Sequence, residues 1–292
     1  MKELINLHFW EQDRREDSQH FNPLLFAECR RRFPQFFQNP NIMDAWAEKD
    51  DPILQKIIGF LREHNREPYL KRFPSWAEIY YGHPIIYPTE GKRLYEPEDY
   101  ANAEYFVLIP ETLITNHGSK DDEGHLKIKR SQLKRQPFGR TCSWSKPVCR
   151  DSFGRAMAVE SFAGLVFQPV EIIGQKAGDE AIWALSSDRE MPTLLNQFVC
   201  EDGTDYDRSK ALGCYVDDFH YPPILRFPAK QVRLMEPFDV AITKERPHHK
   251  QGPGFTGDVM KRFDPYFIVS RHFREWCLKQ KLKIEWWPVV LE

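Results

Sequence analysis

The chain has 292 residues, more than one compact domain usually holds, so about two domains are expected. Its 41% hydrophobic and 14% aromatic content excludes a disordered chain, and 41 basic against 43 acidic residues leave a net charge of -2, too weak a field to gather nucleic acid or anionic lipid. No apolar run is long enough for a membrane helix, and the opening Met1 to Trp10 meets Glu11, Asp13, Arg14 and Arg15 too early for a secretory segment. Six cysteines then read as reduced thiols, and a soluble cytoplasmic protein is expected.

Residues 21–81 read as mostly helical. Pro23 opens one segment, with Leu25, Cys29, Arg32 and Phe36 at helical spacing until Pro34 interrupts it. Asp51 can cap the next helix, Pro52 takes its first position, and Ile53, Ile57, Phe60 and Leu61 make an apolar face. Ser75-Trp76-Ala77-Glu78 has capping-box form, closed by Gly82 and Pro84. Between residues 84 and 103, Pro84, Pro88, Gly91 and Pro97 among charges suggest a connection between packed units. Residues 104–109, 181–185, 231–235 and 238–243 carry the β-branched and aromatic runs of strands.

Two segments about 120 positions apart resemble one another. Pro147-Val148-Cys149-Arg150 leads through Phe153, Ala156, Met157 and Phe162 to Leu165-Val166-Phe167-Gln168-Pro169-Val170. Ile268-Val269-Ser270 leads through Phe273, Trp276, Cys277 and Leu282 to Ile284-Glu285-Trp286-Trp287-Pro288-Val289. Each reads as apolar run, helix, strand, closing on Pro-Val. The expected fold class is α+β: a mostly helical N-terminal region over residues 1–95, then a mixed domain over 104–292 with related units near 147–172 and 268–291.

Several stretches carry candidate chemistry. Asp217, Asp218 and His220 gather acid and base groups within one turn, where paired carboxylates can shift one another's pKa, although Tyr221-Pro222-Pro223 also suits a polar turn. Cys142, Cys149, Cys200 and Cys214 could surround a zinc ion, but they lack the close Cys-x-x-Cys pairs with which one turn presents two sulfurs. Gly252, Gly254 and Gly257 have dinucleotide-loop spacing without the strand and helix that motif needs, and His248-His249 beside them read as loop. Lys127, Lys129, Arg130, Lys134 and Arg135 form a short basic run behind Asp121, Asp122 and Glu123, the composition of a solvated face rather than a nucleic-acid surface.

Phe238 to Glu245, Ile268 to Phe273 and Trp287-Pro288-Val289 resemble the C-terminal part of uncharacterised bacterial proteins. These include immunity proteins of polymorphic toxin systems and a myxobacterial group with doubled Cys-x-x-Cys-Gly motifs. The chain departs from the doubled-cysteine pattern at Cys200-Glu201-Asp202-Gly203, which keeps one cysteine and the glycine. The resemblance implies a small cytoplasmic protein that binds a toxin and covers its active surface; the residues themselves give the expectation of no cofactor and no membrane. The alternatives are an enzyme using Asp217, Asp218 and His220, and a zinc-stabilised adaptor.

Overall fold

The structure, a computed structural model, describes residues 1–9, 23–34, 44–48, 51–64, 86–115, 119–120, 125–141, 146–195, 224–244 and 265–292. They fall into two units, one within residues 1–96 and the other within 97–292. Their helices and sheets together make an α+β protein.

In the first unit, β1 (Lys2–Phe9) is the middle strand of a three-stranded antiparallel sheet between β2 (Asp44–Glu48) and β3 (Ile86–Leu94). Two helices accompany it, α1 (Pro23–Arg32) and α2 (Pro52–Glu63). The Asp51 carboxylate accepts the Ile53 N–H at 2.7 Å, Pro52 occupies the first turn, and α2 buries Leu54, Ile57, Ile58, Phe60 and Leu61. Phe33, just beyond α1, meets Phe60 edge-on at 6.1 Å, and the Arg32 guanidinium lies 4.7 Å from the same ring.

Beside its two helices, the described part of residues 1–95 holds a three-stranded sheet that the mostly helical expectation did not include. The overlooked signal in β1 is the alternation of Ile5, Leu7 and Phe9 with Asn6 and His8. In β3, Pro88 and Gly91 look like linker residues. A proline is tolerated there because β3 is an edge strand and the ladder slips register at Asn6/Leu7, opposite Pro88. The capping box at Ser75 lies outside the described residues.

The second unit runs α3 (Pro97–Asn102), β4 (Tyr105–Pro110), β5 (Leu113–Thr115), β6 (Ser119–Lys120), β7 (Leu126–Lys129), a 3-10 turn (Arg130–Gln132), β8 (Phe138–Thr141), β9 (Pro147–Arg150), α4 (Asp151–Val159), β10 (Leu165–Pro169) and β11 (Glu171–Ile173). There follow β12 (Ile182–Ser187), β13 (Arg226–Phe227), α5 (Ala229–Arg233), β14 (Val240–Ile242), β15 (Phe267–Ser270), α6 (Arg271–Lys279), β16 (Ile284–Pro288) and β17 (Val290–Leu291). The sheets are ordered β10-β12-β9-β8-β5, β16-β4-β15-β14, β11-β7-β6 and β13-β17.

Segments 147–172 and 268–291 take the same secondary structure, and the correspondence extends well beyond them. β9, α4 and β10 match β15, α6 and β16, and each helix gives way to a residue at φ 55°, Ser161 in one and Lys281 in the other. β8 flanks β9 as β14 flanks β15, with Phe138 opposite Cys149 and Val240 opposite Val269. β11 runs parallel to β7 as β17 runs parallel to β13. Backbone bonds outside the ladders repeat in the same places. Arg150 N–H donates to Pro137 O as Ser270 N–H does to Asp239 O. Asp151 N–H donates to Ala181 O as Arg271 N–H does to Glu104 O. The pairs Thr141 to Lys146 and Thr243 to Tyr266 match likewise, as do Arg140 to Thr112 and Ile242 to Arg189.

One core serves both segments. Phe106, Leu108, Cys149, Met157, Phe162, Leu185, Val269, Phe273, Trp276, Cys277 and Trp286 form a single buried cluster. The helices meet through rings, with Phe162 4.7 Å from Phe273 and 5.4 Å from Trp276, and Phe153 5.5 Å from Trp276. The strand expected over residues 231–235 does not form. Residues 229–233 are instead the short helix α5, started by Pro228, with Val232 buried and Leu234 78% exposed. A five-residue window cannot separate strand alternation from one helical turn.

Gly154 occupies the middle of α4, and a methyl placed there would meet nothing nearer than the Cys149 sulfur at 3.4 Å. Gly154→Ala is therefore expected to raise the unfolding free energy by about 0.5–1 kcal/mol, the helix-propensity difference, checked by chemical denaturation.

Candidate functional site

A polar cluster gathers at the start of α6. Ser270 caps the helix, its Oγ accepting the Phe273 N–H at 3.1 Å and donating to Asp239 Oδ1 at 2.6 Å. His272 Nδ1 lies 3.2 Å from that same carboxylate oxygen, and Asp239 Oδ2 accepts the Ala163 N–H at 3.1 Å. Serine, histidine and aspartate are together, but the order is wrong for a nucleophile. Both partners engage the carboxylate, and the Ser270 hydroxyl gives its proton to Asp239 rather than to the imidazole. The cluster caps α6 and pins the loop after α4 to the start of β14.

The matching helix start is built differently. Arg150 stands at the cap position without a side-chain cap, and Glu180 reaches in from before β12 to accept the Ser152 N–H at 2.7 Å. Trp183 Nε1 donates to Asp151 Oδ1 at 2.9 Å and holds that carboxyl below the usual range. Both helix starts thus place a carboxylate where backbone N–H groups point outward, and neither leaves it free as a base.

A second contrast lies along the helices. On α6 the Arg274 guanidinium sits 4.8 Å from the Tyr100 and Phe106 rings and 5.9 Å from Trp286, and desolvation lowers its pKa. Gly154 is the matching residue of α4, and there Trp183 and Phe167 close in on the helix. The larger indole takes room that a phenyl and a guanidinium share beside α6.

Of the residues expected to carry chemistry, Asp217, Asp218 and His220 lie outside the described residues, as do Cys142, Cys200 and Cys214, His248-His249 and the 252–257 loop. Cys149 is described. It is fully buried in the central core, and desolvation pushes its thiol up to about 12. A thiolate is what zinc binds, so this environment opposes metal ligation by Cys149. Among the described residues, no group of three or more His, Cys, Asp or Glu could hold a metal ion. In the basic run, Lys127 pairs with Glu171 at 2.8 Å, and Arg130 grips both oxygens of Asp179 at 2.5 and 2.9 Å, which lowers that carboxyl to about 2. Ser270, directly after the apolar run Ile268-Val269, carries a local signal for a helix cap, whereas the only local signal at Asp239 is its place before a strand.

Burial raises the Cys277 thiol as it does Cys149. Alkylation at pH 8 with site mapping is expected to leave both unmodified in the native protein and modify both in denaturant. Above the ordinary thiol range the unfolded chain releases these protons while the folded chain retains them, so stability falls as pH rises from about 9 towards 12.

No helix among the described residues is long and apolar enough to cross a membrane. No family model, curated protein or solved structure matches the chain.

Proposed function

We propose that the chain is a protein-binding module of the immunity type, which neutralises a cognate bacterial toxin by covering its active surface. The observation that carries this reading is that two matching units wear unlike outer faces. On α4, Val159 is 82% exposed where α6 has Lys279, and on α6, Leu278 is 46% exposed where α4 has Ala158. The shared positions build the core, so these differences are not needed for folding. Apolar side chains held out of the core on ordered helices suit anchoring a partner, and mixed charges around them suit selecting it.

The test is co-expression with a toxin encoded beside this chain. A one-to-one complex that survives gel filtration and abolishes toxicity is expected. The double variant Val159→Asp, Leu278→Asp should weaken the complex by about tenfold or more, roughly 1.4 kcal/mol, while the melting temperature stays unchanged. Protection without any complex would sink the reading. Turnover lost on Asp217→Asn, or one zinc ion held per chain, would replace it with the enzyme or the zinc-stabilised adaptor.

A further inference from the structure

The two copies follow one chain order. The first runs β4, β5, β6, β7, 3-10 turn, β8, β9, α4, β10, β11, and the second runs β12, a bridge at Glu190, β13, α5, β14, β15, α6, β16, β17, with β6 lacking a counterpart among the described residues. Almost every pairing stays inside its own copy. β5 pairs with β8 as Glu190 bridges to Ile242 of β14, in both cases parallel, and β7 pairs with β11 as β13 does with β17. The first strand is the exception. β4 opens the first copy yet lies between β15 and β16 of the second, while β12 opens the second copy yet lies between β9 and β10 of the first. The registers correspond residue by residue. Val107 faces Ile268 and Trp287, and Ala184 faces Val148 and Gln168. After its crossing each chain segment returns home at once, through Arg140 N–H to Thr112 O and Ile242 N–H to Arg189 O.

We infer that residues 104–292 are two copies of one repeat fused in tandem, each completed by the first strand of the other, so that the natural partner of a repeat is a second copy of itself. The physical reason lies in the strand–helix–strand core. β9 and β10 both run antiparallel to β12, so they are parallel to each other with a one-strand gap between them, and β15 and β16 leave the same gap for β4. An empty gap would expose two rows of backbone N–H and C=O groups and strip the cover from the apolar face beneath. Reciprocal exchange fills both gaps with the same contacts, which is how a two-fold dimer closes. This inference is independent of what the surface binds.

The linker between the copies permits a direct test. Residues 173–178 are exposed, and a Cβ added at Gly174 or Gly178 would meet nothing within 4 Å. A protease site placed between Lys176 and Ala177 of the full chain allows the native protein to be cut there. The two pieces are expected to stay together, eluting at the uncut mass with one melting transition. In the same cut chain, Ile109→Cys with Glu285→Cys, which face each other across β4 and β16, should join the two pieces by a disulfide on a non-reducing gel. Separation into two soluble folded pieces, or no cross-link between them in the cut protein, would overturn the inference.

Discussion

Phe273→Ala lowers the unfolding free energy by about 3–5 kcal/mol, the range for deleting a fully buried aromatic ring. Phe273 is completely buried, packs edge-on against Phe162 at 4.7 Å, and lies in the cluster that takes side chains from both copies. The cavity opens where α4, α6 and the strands beneath them meet, so both copies lose contacts together. Phe153, the matching residue of α4, is only partly buried, and its alanine variant should cost less. Urea unfolding of both variants checks the order. Equal costs would mean that the two helices do not share one core.

Gly164→Ala costs about 2–4 kcal/mol, because two penalties coincide. The residue has φ 85°, where a Cβ crowds the backbone, and that Cβ would come within 2.2 Å of the Val240 carbonyl oxygen. The carbonyl is already committed, since it accepts the Ser187 Oγ at 2.8 Å, and the neighbouring Ala163 carbonyl accepts the N–H groups of Asp239 and Val240. Backing away from the new methyl therefore disturbs the seam between the first copy and β14. A fall in the denaturation midpoint with an unchanged slope is the expected result, and an unchanged midpoint would mean that this seam is looser than its contacts imply.

The α+β class and the likeness of the two helix-bearing segments were legible because they rest on local signals. Phe153 and Met157 keep helical spacing as Phe273 and Cys277 do, and Pro169-Val170 and Pro288-Val289 mark the same strand ends. The strand exchange was not legible. Residues 104–109 and 181–185 both read as buried strands, but an apolar run does not state which sheet receives it, and either arrangement buries the same side chains. The polar cluster was half legible for the same reason: Ser270 sits three residues before the N–H it caps, whereas Asp239 reaches it across 31 positions. Arg274 resembled any surface arginine until Tyr100, Phe106 and Trp286 were brought round it by three separate elements.

Nuclear Overhauser contacts across the two central strands test the exchanged arrangement most directly. The backbone of Val107 is expected to lie against Ile268 and Trp287, and that of Ala184 against Val148 and Gln168. Contacts of Val107 with Val148 and Gln168 would contradict it, because each copy would then hold its own first strand.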